Sequence, residues 1–486
     1  MRAYYILFFF TNVFLNSVIP QTFEKIIRTE QDDYSFAAIE VGDTYIFAKN
    51  TGNYFQGNNI NSLIVLDNEG NITQTFTLPS YAGYFNRTVM SIFKHSDSLF
   101  YCIRVLRSRA TNDLQINLLI VSYEGSRLEL EFDTIYGNEN ISEAFFDFQY
   151  TTDQKIIGAG RLELVGQNAL VVEIDLNDLS FNSWFYNIPE AHLASTIMDI
   201  PENNTYHVFM YWDNNNSILE INKSTMEIDT IYHYPELFRP RNAIRGISDT
   251  SYFAVGKKGQ EVPGINYVPS FIEVGFNGQI YNIFKYEVHR DTNSFYTYHS
   301  FDHKFDNIFF GAIYNFTISH NFPYFPERRW IFINKLNDEG AIIWQRFYKG
   351  EVNYMVFRVL ATNDGGALIF STRYDWHDTI PSQIDLHILK IDSTGWYSGL
   401  PVVIDELSQM KQILVYPNPV KNYVTFALGL YSDINLQIFN SKGQIVLVKN
   451  LKYSQKIDLS ELSTGFYIYV LTGKNGFFEK GKLIKE

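Results

Sequence analysis

Two short stretches carry the residue types that metal or acid/base chemistry needs. His299-x-x-Asp302-His303-x-x-Asp306 offers imidazoles and carboxylates, the usual donors for a divalent metal. Alternation along a strand sends such residues to opposite faces, and Asp306 is already accounted for as one of a series of repeat turns, so no metal centre is expected. Asp375-Trp376-His377-Asp378 sets carboxylates beside an imidazole, where Asp375 or His377 can serve as acid or base. A solvated loop is the alternative. Cys102 stands within the apolar run Leu99 to Val105 and reads as a buried small hydrophobe rather than a nucleophile. The chain has no Gly-x-Ser-x-Gly elbow, no His-Glu-x-x-His and no phosphate loop. No catalytic residue is assigned, and no cofactor is expected.

Flat aromatic side chains in polar stretches are the stronger signal. Tyr54, Trp212, Tyr324, Tyr374 and Trp376 stand among Asn, Asp and Gly, a setting suited to glycan or peptide contact. The alternative is that these rings only pack loops onto a scaffold.

What would position them is a repeat. A first turn recurs at Asp43, Asp97, Asp153, Asn203, Asp249, Asp306 and Asp364, at spacings of 54, 56, 50, 46, 57 and 58 residues. A second recurs in phase, for example at Asp67-Asn68-Glu69-Gly70, Asn222-Lys223-Ser224-Thr225 and Asp392-Ser393-Thr394-Gly395. Apolar strands flank both turns. Four strands per unit of about 50 residues is the arithmetic of a propeller blade. The chain is therefore expected to be all-β, with a seven-bladed β-propeller over residues 21–400. The seventh unit lacks a fourth strand after Gly395, and the strand-like Thr22 to Thr29 can supply it and close the ring. Loops between second and third strands and between blades then share one face. Long stretches such as Asn50 to Asn61, Trp212 to Asn216, Tyr314 to Arg329 and Arg373 to Ile384 place the five aromatics there, where binding usually sits.

A formal net charge of −14 without a basic stripe argues against a nucleic-acid partner or an anionic membrane surface. The single cysteine cannot form an internal disulfide. Aromatic residues reach 17%, with 34 Tyr and 41 Phe, in keeping with strands. Met1-Arg2 followed by the apolar stretch Tyr4 to Leu15 reads as a signal peptide over residues 1–20. No later stretch reaches the roughly 18 apolar residues of a membrane helix, so the mature protein is expected to be soluble, without a transmembrane segment.

Residues 401–412, with Asp405-Glu406 and no periodicity, read as a linker to a small β-domain over residues 413–486. That domain opens on Tyr416-Pro417-Asn418-Pro419, continues through a hairpin around Gly443 and the Leu462-x-x-Gly465-x-Tyr467 element, and ends in a Lys-rich strand containing Lys480. These motifs resemble the type A C-terminal sorting domain of the Bacteroidota type IX secretion system. The resemblance implies an immunoglobulin-like β-sandwich handled by the type IX machinery at the outer membrane and usually removed on export. It implies a secreted or surface-anchored protein, and nothing about what the cargo does. The two functional readings are a binding module for glycan or protein ligands, and a polysaccharide-acting hydrolase or lyase that uses Asp375 or His377.

Overall fold

The computed structural model describes residues 21–53, 59–137, 143–162, 169–188, 194–212, 215–234, 238–245, 249–259, 267–285, 299–305, 307–314, 328–338, 340–377, 383–397, 402–403, 414–416, 418–427, 434–451, 455–473 and 478–486. The signal-peptide reading, most of the linker, Tyr54, Tyr324 and Asp378 lie outside them. The chain divides into two units, Met1–Val402 and Val403–Glu486. Among the described residues no helix is long and apolar enough to cross a membrane.

Strands in the first unit form because apolar β-branched and aromatic runs stop at turns built by a single side chain. Asp67 Oδ1 accepts from the backbone N–H of Glu69 and Asn71 at 3.0 and 2.7 Å. Asp392 Oδ1 does the same with Thr394 and Trp396 at 2.8 and 2.9 Å, and Asn222 Oδ1 with Ser224 at 2.9 Å. An Asp or Asn at the start of the turn thus replaces a missing backbone partner, which is why this residue type marks the repeat. Gly70 and Gly395 complete their turns at φ +82° and +77°, where a side chain is disfavoured.

Among the described residues, seven sheets result. The first contains Asp32–Tyr34 and Ala38–Val41, both paired with Thr44–Gly52, then Ile60–Leu66 and Ile72–Thr77. The second runs Tyr84–Lys94, Leu99–Ser108, Leu114–Glu124, Arg127–Tyr136. The third runs Glu143–Tyr150, Lys155–Leu162, Ala169–Asp175, Phe181–Tyr186, and the fourth Ala194–Ile200, Thr205–Trp212, Asn215–Asn222, Ile228–His233. The fifth is Phe238–Arg245, Ser251–Gly259, Tyr267–Gly275, Ile280–Lys285. The sixth is Phe301–Lys304, Asn307–Tyr314, Trp330–Leu336, Ile342–Tyr348, edged by a further two-residue strand. The seventh joins Asn353–Ala361, Ala367–Tyr374 and Ile384–Ile391 to Phe23–Ile27, which lies antiparallel to Leu386–Lys390. Arg28 fixes that pairing through Asp385 at 2.7 Å.

Middle strands are buried on both faces and fourth strands on one only: Ala169–Ile174 is buried throughout, whereas Ile72–Thr77 is largely exposed. The reason is that neighbouring sheets stack. Ile46 and Leu63 of the first sheet share a cluster with Cys102 and Leu119 of the second. Phe47 and Ile64 share another with Phe370 and Ile388 of the seventh, the Phe47 and Phe370 rings lying 5.1 Å apart. Each buried Leu, Ile or Phe contributes about 1.5–3 kcal/mol of transfer free energy. The first strand of every sheet touches that of the next, and Asn353–Ala361 touches Ala38–Val41.

The second unit holds two antiparallel sheets, one of Leu414–Tyr416, Tyr423–Ala427 and Gln455–Asp458, the other of Ile434–Phe439, Ile445–Leu451, Gly465–Thr472 and Phe478–Lys485. Val424 and Phe426 from one pack with Leu436, Ile438 and Leu471 from the other in a single core. Asn440 Oδ1 builds the Gly443 turn by accepting from Lys442 and Gln444, both at 3.0 Å.

Candidate functional site

Of the five aromatic candidates, Tyr54 and Tyr324 and the side chain of Trp212 lie outside what the structure describes. The long loop expected after Trp212 is a short connection, since Trp212 pairs with Asn215 at the end of a hairpin. Tyr374 is the last residue of its strand, opposite Ile384, and is half-buried. Trp376 follows it, half-buried against the core cluster of Tyr34, Val356 and Tyr397, with its ring 5.1 Å from that of His377.

Asp375 and His377 are not arranged as an acid/base pair. The Asp375 carboxylate pairs with Arg373 Nη2 at 2.6 Å, and its Oδ1 accepts from the backbone N–H of His377 at 3.0 Å. The carboxylate is balanced by a cation and occupied in closing its own turn.

Chemistry concentrates where the first strands meet. Residues from these strands and the segments leading into them line a cavity of about 180 Å³: Phe36 to Ala38, Met90 to Phe93, Asp147 to Gln149, Ala243, His299 with Asp302, and Arg358. The local reason is a repeated bulge. Pairing shifts between Val89 and Ser91, Phe145 and Asp147, Ala194 and Thr196, Pro240 and Asn242, and Val356 and Arg358. Each extra residue reverses the alternation for one position, and in each of these strands the residue after the shift is polar. Sheets one and six use other breaks. Ser35 to Ala37 separates two short strands, and His299 sits at φ +59°, an uncommon conformation for a residue with a side chain.

Asp147 is 1% exposed. Burial pushes its carboxyl up to about 7, against the opposing effect of the Thr196 hydroxyl, which donates to Oδ2. Oδ1 has no hydrogen-bond partner among the described residues. Gln149 Nε2 donates to the Ala243 carbonyl at 2.8 Å, tying the third sheet to the fifth. His299 is pushed down to about 3 by burial, aided by the nearby Arg358 charge, and its Nε2 lacks a partner. Arg358 Nε also lacks one. Asp302, one of the expected ligand-type residues, accepts instead from the Ala361 backbone at 2.9 Å. No group of three or more His, Cys, Asp or Glu side chains able to hold a metal occurs among the described residues. Cys102 is fully buried, with its thiol held well above its usual range by burial. A protonatable carboxyl with a vacant lone pair, facing donors across a partly apolar cavity, suits recognition of a small polar molecule. Ser91, Asp147 and Arg358 each interrupt an apolar run just after such a shift, but the shift itself leaves no mark in the sequence.

Similarities to known proteins fall into three kinds. The chain is 31% identical over 96 residues to the exosome complex component Rrp42 of Saccharolobus solfataricus, a match covering 19% of this chain and about a third of that protein (34%). Among solved structures, the Dos1 propeller aligns over 78% of this chain and 96% of its own, with 8% identity and a TM-score of 0.40. The β-propeller domain of the Trilobed protease from Pyrococcus furiosus aligns over 79% and 97%, with 10% identity and a TM-score of 0.36. At these scores the structural likenesses carry no argument about what the chain binds. Residues 414–486, with Asn418, Pro419, Gly443, Gly465, Tyr467 and Lys480 among them, match the family described as the secretion system C-terminal sorting domain, and this tail indicates export to the cell surface or extracellular space by the type IX route.

Proposed function

We propose that this chain is an exported, non-enzymatic binding protein, a closed seven-bladed propeller delivered by a C-terminal immunoglobulin-like sandwich. The sorting domain carries the delivery half of the reading. The ring is supported by the first-strand contacts that run from each sheet to the next and from the seventh to the first, and by the apolar cluster shared by those two sheets. The sandwich is supported by two antiparallel sheets around one core. Its ligand is a glycan or protein that meets the loop face around Tyr54, Trp212, Tyr324, Tyr374 and Trp376. Engagement of Asp375 by Arg373 weighs against the hydrolase or lyase reading.

A glycan and peptide array probed with the full chain, paired with a turnover screen on the same compounds, tests this. Binding lost in folded Trp212→Ala and Trp376→Ala variants, without turnover, is the expected result. Turnover abolished by Asp375→Asn or His377→Ala overturns it. Mass measurement of the extracellular protein is expected to show the sorting domain removed within 401–412.

A further inference from the structure

The cavity at the meeting of the first strands is lined by a protonatable carboxyl and a guanidinium that do not meet, while a second carboxylate in the lining, Asp302, accepts from the Ala361 backbone. Asp147 from the third sheet and Arg358 from the seventh both line it, and neither forms an ion pair among the described residues. The guanidinium is half-buried and carries a permanent charge, and a carboxyl as deeply buried as Asp147 is costly to ionise without a counter-charge. Each also leaves a defined vacancy, a lone pair on Asp147 Oδ1 and an N–H on Arg358 Nε. His299 Nε2 is a third. Phe36, Met90, Ile92, Phe93 and Phe148 supply apolar lining beside Ser91 and Gln149.

We propose that this cavity is a binding site for a small zwitterion of single-amino-acid size, its ammonium on Asp147 and its carboxylate on Arg358, with an apolar side chain against Phe36, Met90 and Phe148. A carboxylate alone leaves Asp147 Oδ1 unfilled, and an amine alone leaves Arg358 Nε so. The cavity volume of about 180 Å³ has room for a molecule of single-amino-acid size. The inference stands apart from the loop-face reading, because neither Tyr374 nor Trp376, the loop-face aromatics whose side chains are described, lines the cavity.

The test is calorimetric titration of the full chain with glycine, L-methionine and L-phenylalanine, alongside propionate, n-propylamine and glucose. L-Methionine or L-phenylalanine is expected to bind, and the single-function compounds and glucose are not. Asp147→Asn, which can keep the Thr196 bond, and Arg358→Gln are each expected to weaken binding by about tenfold or more, one RT ln 10 step. Trp376→Ala is expected to leave it unchanged, which separates this site from the loop face. Tryptophan fluorescence in urea shows that the variants fold. No binding of any amino acid up to ~10 mM, a concentration that saturates millimolar sites, overturns the proposal. Equal binding of propionate or n-propylamine, preferential binding of glucose, or full binding in both folded cavity variants does the same.

Discussion

Asp147→Asn should change how stability depends on pH, and the change can be worked out from its surroundings. Burial raises the Asp147 carboxyl from 3.8 to about 7. Between those values the folded chain holds a proton that the unfolded chain has released. The stability this confers is fully present below 3.8 and is lost as pH rises through about 7. The slope is at most about 1.4 kcal/mol per pH unit, so the whole window is worth up to about 4 kcal/mol. Two buried histidines act in the opposite direction. His299 and His207 are lowered from 6.5 to about 3 and about 4 by burial, so the unfolded chain takes up protons below 6.5 and stability falls with acid. The parent alone therefore shows a mixture, and the difference between parent and variant isolates Asp147. That difference should favour the variant increasingly from pH 4 to pH 7 and level off above. All six tryptophans precede Trp396, inclusive, so urea unfolding followed by tryptophan fluorescence reports on the first unit alone. A difference in unfolding free energy that stays flat across the window would refute the reasoning.

Three further outcomes are expected. Arg104, fully buried, donates to Asn117 Oδ1 at 3.0 and 2.7 Å and to the Pro79 carbonyl at 2.8 Å; Arg104→Leu strands both acceptors and should cost about 3 kcal/mol in urea unfolding, and a loss under 1 kcal/mol counts against this. Phe23→Ala removes the ring that packs on Tyr45 and beneath Gly70 and should cost about 3 kcal/mol by the same measurement; an unchanged midpoint would show that the N-terminal strand is dispensable. Asn418 donates through Nδ2 to the Lys482 carbonyl at 2.8 Å and accepts from Ile484 N–H at 2.9 Å; Asn418→Ala should cost the second unit about 1 kcal/mol and raise the cell-retained fraction on immunoblots, and export at the parent level would refute a positioning role.

Turn chemistry explains why the repeat was legible. A residue such as Asp67 or Asp392 recurs because a short carboxylate or amide reaches the backbone two and four residues on, so residue type marks the position. The cavity was hidden by the opposite circumstance. A one-residue bulge before Asp147 or Arg358 reverses which face the side chain joins, and alternation counted along the chain cannot detect that reversal. Strand alternation is the expectation from His299 up to the Asp306 turn, yet pairing begins at Phe301 and His299 takes a left-handed conformation before it. Trp212 was assigned to a loop because Asp and Asn follow it, but Asn215 and Asn216 continue the hairpin. The restraint on Asp375 depends on Arg373, whose other carboxylate partner, Asp385, is also held by Arg28, 357 residues away in sequence. Local pattern holds no trace of that link.

The position of Phe23–Ile27 in the seventh sheet sets a timetable. Glu24 meets His387 across 363 residues of sequence. At synthesis rates of about 5–20 residues per second, that strand waits roughly 20–70 s for its partner to be made. Closing so long a loop carries an entropic cost of about 5 kcal/mol above the constant term, and such distant pairings slow folding. During that interval the seventh sheet stays incomplete, and its edge is open until the strand headed by Phe23 docks on Leu386–Lys390.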